Sequence, residues 1–275
     1  MADAKADHPR CSMGPFSSPR SLTQLNSPNN QWSPSISGDD LTLYWASNRS
    51  GGKGGYDIWT ASRPSVTAEF GAPTNLGEVN TSDDEAEPAI SADGRELYVY
   101  RSSDTSAALL RATRAGPAAR FSIPAPLPIF GSSFLDASGP WLSGDGLHLY
   151  FSGQVSDKAP EDLALARRAT TGDAFTFVRL LSEVNGPATD GWPTLSPDER
   201  ELFFESDRGG AGWQIYSARR DSSTALFSSP MPSTELNGNH SCGDPDLSRD
   251  GRTIYFALSV GTDRNDLWTA SRECQ

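Results

Sequence analysis

Five times, at almost equal intervals, the chain repeats one element: PSIS at Pro34, PAIS at Pro88, PWLS at Pro140, PTLS at Pro193 and PDLS at Pro245. The spacings are 54, 52, 53 and 52 residues. A fixed period of this length specifies a repeat architecture, because one supersecondary unit cannot bury its own apolar face and must stack on its neighbours. Each unit then offers a tight turn, Asp93-Gly94, Asp145-Gly146 or Asp250-Gly251, with Asp39-Asp40 and Asp198-Glu199 as looser copies. Asp-Gly supplies the positive φ of a short hairpin. Alternating segments follow: LTLYWA, ELYVY, HLYFS, ELFFE and TIYFA. A polar loop leads to a third segment such as DIWTASR or QIYSARR, and a fourth such as FGAPTNLGEVN. Four strands per unit is the plan of a propeller blade.

The chain ends predict closure of the ring. The last unit, from Pro245 to Gln275, has 31 residues and no fourth segment, and the 22 residues from Ser12 to Ser33 make up the period. FSSPRSLTQLN, Phe16 to Asn26, matches FSSPMPSTELN, Phe227 to Asn237. The expectation is an all-β, five-bladed β-propeller over residues 12–275, with 1–11 as a tail. The N-terminal strand completes the last blade, which leaves no open edge. Aligning the repeats puts Cys11 and Cys274 at one seam, where a disulfide would lock the ring and imply an oxidising compartment.

The pattern P-x-[IL]-S-x-D-G-x-x-[IL]-Y-F, followed by S-[DN]-R-x-G-G-x-G-x-x-[DQ]-I-[WY], resembles the TolB-type β-propeller repeat. The resemblance runs from about residue 12 to the C-terminus and implies the fold. Its members include periplasmic scaffolds and peptidase-associated propellers, so it implies no single activity. The second unit departs from the pattern, since Arg101-Ser102-Ser103-Asp104 lacks the glycines and Ala108 stands where others have Asp57 and Asp266.

Function must lie where the blades differ. The Ser and Asp of Ser-x-Asp-Gly are expected to brace turns. The segments leading into the innermost strands surround the channel mouth: NSPNNQWSP, NTSDDEAEP, LDASGP, NGPATDGWP and NGNHSCGDPD. They gather carboxylates and tryptophans. Crowded carboxylates repel, and a cation or a ligand's positive group relieves them. Candidate ligands for calcium or zinc are Glu87, Asp136, Asp190 and Asp244. Trp32, Trp141 and Trp192, with Arg49 and Arg208 of the SNR and SDR triplets, are candidates for ligand contact. His240 is the histidine in a mouth segment and the candidate general base. The structural alternative is that these acids cap turns and the arginines pair with them.

Composition narrows the partners. The formal net charge is −12, and no basic stripe offers itself to nucleic acid. No apolar run is long enough for a spanning helix, and the first residues lack the apolar core of an export signal. The reading is an extracytoplasmic, monomeric binding or scaffold propeller that presents an acidic, aromatic-flanked mouth to a protein, peptide or carbohydrate. The alternative is a metal-dependent propeller hydrolase of esters, lactones or phosphotriesters, with the cation polarising the substrate oxygen. A glycosidase with two facing carboxylates is a third reading, which turns on a separation that sequence does not give.

Overall fold

The structure is a computed structural model that describes residues 13–127, 134–210, 212–261 and 264–275. Five four-stranded antiparallel sheets form a ring. In chain order, β1 (Arg20–Ser21) precedes the first full blade: β2 (Gln31–Ile36), β3 (Thr42–Ser47), β4 (Asp57–Ser62) and β5 (Thr74–Asn75). The second holds β6 (Asp84–Ile90), β7 (Glu96–Ser102), β8 (Ala107–Thr113) and β9 (Ala125–Pro126). The third holds β10 (Asp136–Leu142), β11 (His148–Gln154), β12 (Asp162–Arg167) and β13 (Thr176–Leu180). The fourth holds β14 (Asp190–Leu195), β15 (Glu201–Ser206), β16 (Gln214–Arg219) and β17 (Met231–Pro232). After one helical turn, α1 (Thr234–Asn237), the fifth blade runs through β18 (Cys242–Leu247), β19 (Thr253–Ser259) and β20 (Asn265–Ser271).

The ring closes as the sequence predicts. β1 is the fourth strand of the last blade, with Arg20 opposite Thr269 and Ser21 opposite Trp268. Met13 bridges Cys274 at the same seam. Cys274 is disulfide-bonded, Cys242 is a buried free thiol, and Cys11 lies outside the described residues.

The outermost strands are mostly two residues long, and in two of them proline limits the ladder. Pro126 and Pro232 lie in theirs, and Pro lacks the N–H that a ladder needs. β13 has no proline and reaches five residues. An asparagine finishes the pairing that the short strands leave undone. Asn80 Oδ1 accepts from Ile58 N–H while its Nδ2 donates to Ile58 C=O. Asn26 does the same for Leu267, Asn185 for Leu163 and Asn237 for Ile215.

The hairpin turns are braced as expected. Ser37, Ser91, Ser143, Ser196 and Ser248 each donate to the Asp two residues on, at 2.6–2.7 Å. Each serine Oγ also accepts from the first N–H of the next strand.

Apolar clusters fill the seams between blades, as in that of Tyr150, Leu163, Leu195, Phe204 and Phe227. Five arginines bind the seams together. Arg63, Arg114, Arg168, Arg220 and Arg272 each donate Nε to the backbone carbonyl of their own hairpin turn. Each lies over a phenylalanine, Phe70, Phe121, Phe175, Phe227 and Phe16 respectively, at 4.2–4.6 Å. Each also reaches the preceding blade: Tyr255, Tyr44, Glu96, Tyr150 and Glu201 in turn.

Candidate functional site

The candidate site is set by a break repeated in the five inner strands. β2, β6, β10, β14 and β18 each lose register with their neighbour just before the proline. The residue preceding Pro34, Pro88, Pro140, Pro193 and Pro245 takes positive φ, between 48° and 53°: Ser33, Glu87, Gly139, Trp192 and Asp244. Such a bulge re-aims a side chain and is common beside functional sites. The inner strands therefore begin earlier than Pro-x-x-Ser. The acids expected in mouth loops include Glu87 and Asp244, which stand inside strands at the waist of the channel.

Two cavities share that waist. The wider, of about 350 Å³, opens among Trp32, Trp192, Trp213, Glu87, Glu205 and Asp244. The narrower, of about 80 Å³, continues past Trp141, Leu195 and Asp246 toward the hairpin turns. Its far end is tight: Gly38 leaves no room for a Cβ beside the Ala92 carbonyl, nor does Gly144 beside the Arg249 guanidinium.

At the waist the carboxyls hold one another's neighbours in place. Gly139 N–H donates to Glu87 Oε2 at 2.6 Å, across a blade boundary. Asp244 N–H donates to Glu205 Oε2 at 2.8 Å. Ser33 Oγ donates to Asp244 Oδ1 at 3.1 Å, and Trp192 N–H donates to Ser152 Oγ at 2.9 Å. Deeper in, Asp246 Oδ2 accepts from Ile36 N–H at 2.7 Å. Tyr100 O–H donates to Asp136 Oδ2 at 2.7 Å.

These acids face the lumen on one side and protein on every other, and the loss of water governs their chemistry. Burial pushes the Glu87 carboxyl up to about 8, against the Gly139 hydrogen bond, with Asp244, Glu161 and Asp136 adding repulsion. Burial and the Asp244 charge hold Glu205 well above the usual carboxylate range. Burial raises Asp244 to about 6 and Asp246 to about 7. Glu161 is raised by burial and then by Asp136. Carboxyls so raised can donate protons, accept them or exchange them for a cation.

Aromatic rings stand above the acids. Trp192 meets Trp213 edge to face at 6.3 Å, and Trp32 packs on Tyr56 at 5.0 Å. The Nε1 atoms of Trp32 and Trp192 are buried without a hydrogen-bond partner.

The residues singled out by sequence divide. Glu87 and Asp244 line the channel cavity with Trp32 and Trp192, and Asp136 lies behind them, near enough to act on the Glu87 carboxyl. Trp141 sits lower, in the narrow cavity, edge-on to Tyr150 at 5.8 Å. Asp190 stands apart: it pairs with Arg208 and accepts from Gly186 N–H, which pins the loop before its own strand. Arg208 also donates to the Val184 carbonyl and lies over Phe204 and Tyr216. Arg49 donates to the Leu25 carbonyl between Trp45 and Trp59. Both arginines brace blades, away from the cavity walls. His240 is exposed after α1 and its side chain joins no carboxylate. Among the described residues, no three His, Cys, Asp or Glu side chains are grouped to hold a metal ion.

Sequence reading missed Glu205 and Glu161. Glu205 ends a second strand, where other blades carry Ala46, Tyr100, Ser152 and Ala257. A charged residue at that inward position of ELFFE was the available signal. Glycines opposite it were another. A Cβ on Gly243 would fall 1.8 Å from Glu205 Oε2, and one on Gly191 within 3.6 Å of Glu161 Oε2.

No family model matches the chain, and no curated protein does. Solved structures do. A TolB structure from Agrobacterium tumefaciens aligns at TM-score 0.52 and 17% identity, over 90% of this chain and 79% of that one. An α-L-arabinofuranosidase from Podospora anserina, in complex with cellotriose, aligns at TM-score 0.59 and 12% identity, over 96% and 97%. A protein of unknown function from Dyadobacter fermentans aligns at TM-score 0.63 and 8% identity, over 94% and 99%. At such identities the likeness concerns the fold. The chain has a TolB-like, five-bladed β-propeller fold built round an acidic, tryptophan-lined channel.

Proposed function

We propose that this protein is an extracytoplasmic, monomeric binding propeller whose channel mouth takes a carbohydrate. One observation carries the reading: a cavity of about 350 Å³ sets Trp32, Trp192 and Trp213 over Glu87, Glu205 and Asp244. Indole faces stack on sugar rings, while carboxyls suit hydroxyls. A cavity of that size holds a monosaccharide unit or two, within the usual range for small-ligand sites. The Podospora anserina neighbour, solved with cellotriose, is a propeller of similar extent that accepts this ligand class. The disulfide at Cys274 fits a location outside the cytoplasm.

The metal-dependent hydrolase reading needs several ligands to converge, and the described residues offer no such group. The experiment is a glycan array followed by calorimetric titration, with and without chelator, using Trp192→Ala as the control. The expected result is saccharide binding that chelator leaves unchanged and that Trp192→Ala weakens at least tenfold. Binding to no glycan, or binding that chelator abolishes, would overturn it.

A further inference from the structure

The inner strands β2, β6, β10, β14 and β18 have a partner on one side only, so alternate backbone groups turn to the lumen. The ladder fixes which. Ser143 N–H donates to the His148 carbonyl and Ser196 N–H to the Glu201 carbonyl, so the residue before each serine points the other way. In three blades a side chain of the preceding blade meets that lumen-facing donor. Ser35 Oγ accepts from Ile90 N–H at 3.1 Å, Thr194 Oγ1 from Leu247 N–H at 3.0 Å and Asp246 Oδ2 from Ile36 N–H at 2.7 Å. Ser35, Thr194 and Asp246 follow the proline of the repeat. Ala89 and Trp141 hold the same place in the second and third blades and offer no acceptor. The N–H groups of Leu142 and Leu195 are therefore left without an acceptor among the described residues. Both residues are buried, Leu142 at 8% exposure and Leu195 at 1%. A buried donor left open is rare in a folded chain and calls for a bound partner.

Leu142 and Leu195 both line the narrow cavity, from adjacent blades, with Trp141 and the prolines of the repeat as its apolar walls. That cavity has less than a quarter of the wider one's volume and shares Ser33, Glu87, Trp192 and Asp244 with it, so it takes a side group of a ligand seated above. The side group brings an acceptor oxygen for the two N–H groups and apolar atoms for the walls. It carries no negative charge, because Glu87, Asp244 and Asp246 line the same space and repel an anion. A carbonyl with a methyl beside it meets each demand. Asp246 can take an amide N–H as well, since the Thr194 hydroxyl at 3.4 Å is the one hydrogen bond to its Oδ1 among the described residues. Water alone would satisfy the donors and leave the indole and proline walls unused.

Resting on the carbohydrate reading, we infer that the saccharide carries an acetamido group, as N-acetylated amino sugars do, and that this group enters the narrow cavity. Its carbonyl oxygen accepts from Leu142 and Leu195 N–H, and its methyl group lies against Trp141. The sugar ring stays above, between Trp32 and Trp192.

The test uses matched probes that differ only in acetamido against hydroxyl: triacetylchitotriose with cellotriose, and methyl N-acetylgalactosaminide with methyl galactoside. Each is titrated by calorimetry against the intact protein and against Ala89→Ser, with melting curves to confirm folding. In Ala89→Ser the new hydroxyl stands where Ser35 stands in the first blade and caps Leu142 N–H from within. Ala89→Thr, which copies Thr194, is the second variant. The expected result is about tenfold tighter binding of the N-acetylated member in at least one pair, a preference that falls below about threefold in the capped variants. Equal binding within both pairs would overturn the acetamido assignment and leave the carbohydrate reading standing. A preference that the folded variants retain would overturn the placement at Leu142. Binding of no probe would overturn both readings.

Discussion

Trp192, Glu87, Asp244 and Ser33 hold left-handed backbone that an L-residue enters at a cost of about 1–2 kcal/mol each. The strain recurs at one position in each blade, and the side chains it aims at the lumen are an indole, two carboxyls and a hydroxyl. Position in the repeat explains the bulge, whereas only the chemistry explains why three of these residues are large or charged. The acids beside them destabilise the fold in a pH-dependent way. A carboxyl whose folded pKa lies above its unfolded value leaves stability intact below about 4, near the unfolded value. Stability is then lost as pH rises through that value toward the folded one, about 8 for Glu87. Glu87→Gln is therefore expected to raise the melting temperature by several degrees near pH 8, a gain of a few kcal/mol, and to change it little near pH 4. Melting curves across that range check it; a pH-independent loss of stability would contradict the placement of Glu87. Trp192→Ala is expected to weaken saccharide binding at least tenfold at modest cost in melting temperature, read by titration and calorimetry together.

At the scale of the element, most of the blade was legible in the sequence. Proline, serine and Asp-Gly located the hairpins because each has a fixed backbone consequence. The recurring asparagines Asn26, Asn80, Asn185 and Asn237 prove to be side-chain substitutes for a short fourth strand. That pairing could not be read from sequence because it joins residues 22 apart in Asn80 and 241 apart in Asn26. Asn237→Ala leaves the Ile215 N–H buried and unpaired, while the Ile215 carbonyl keeps the Ser233 N–H, so the expected loss is about 2 kcal/mol. Ser248→Ala removes a brace at a partly exposed turn, and about 1 kcal/mol is expected. Urea unfolding of the two variants orders them; a larger loss for Ser248→Ala would contradict the role given to the asparagines. The candidate site was half legible. Glu87, Asp136 and Asp244 stood out as acids beside prolines. Asp190 looked equivalent, and only the fold shows it turned back to Arg208. Glu205 was hidden in a strand whose alternation reads as ordinary.

As a whole molecule, the ring is held by packing between blades, five arginine clamps and a closing seam. The last blade borrows β1 from the other end of the chain, so separation of the ends exposes an open sheet edge. Cys274→Ser is expected to cost about 2–4 kcal/mol by releasing that seam. The measurement is melting with and without reductant, where the variant should match the reduced protein and ignore the reductant itself. The same ring geometry lines one cavity with acids from the second, fourth and fifth full blades, which no single blade could do. The most direct test of the channel-mouth assignment is a crystal structure of the protein soaked with the saccharide that the glycan array selects. The account predicts a sugar ring between Trp32 and Trp192, over Glu87, Glu205 and Asp244. A saccharide bound on the outer strands, with the channel mouth unchanged, would contradict it.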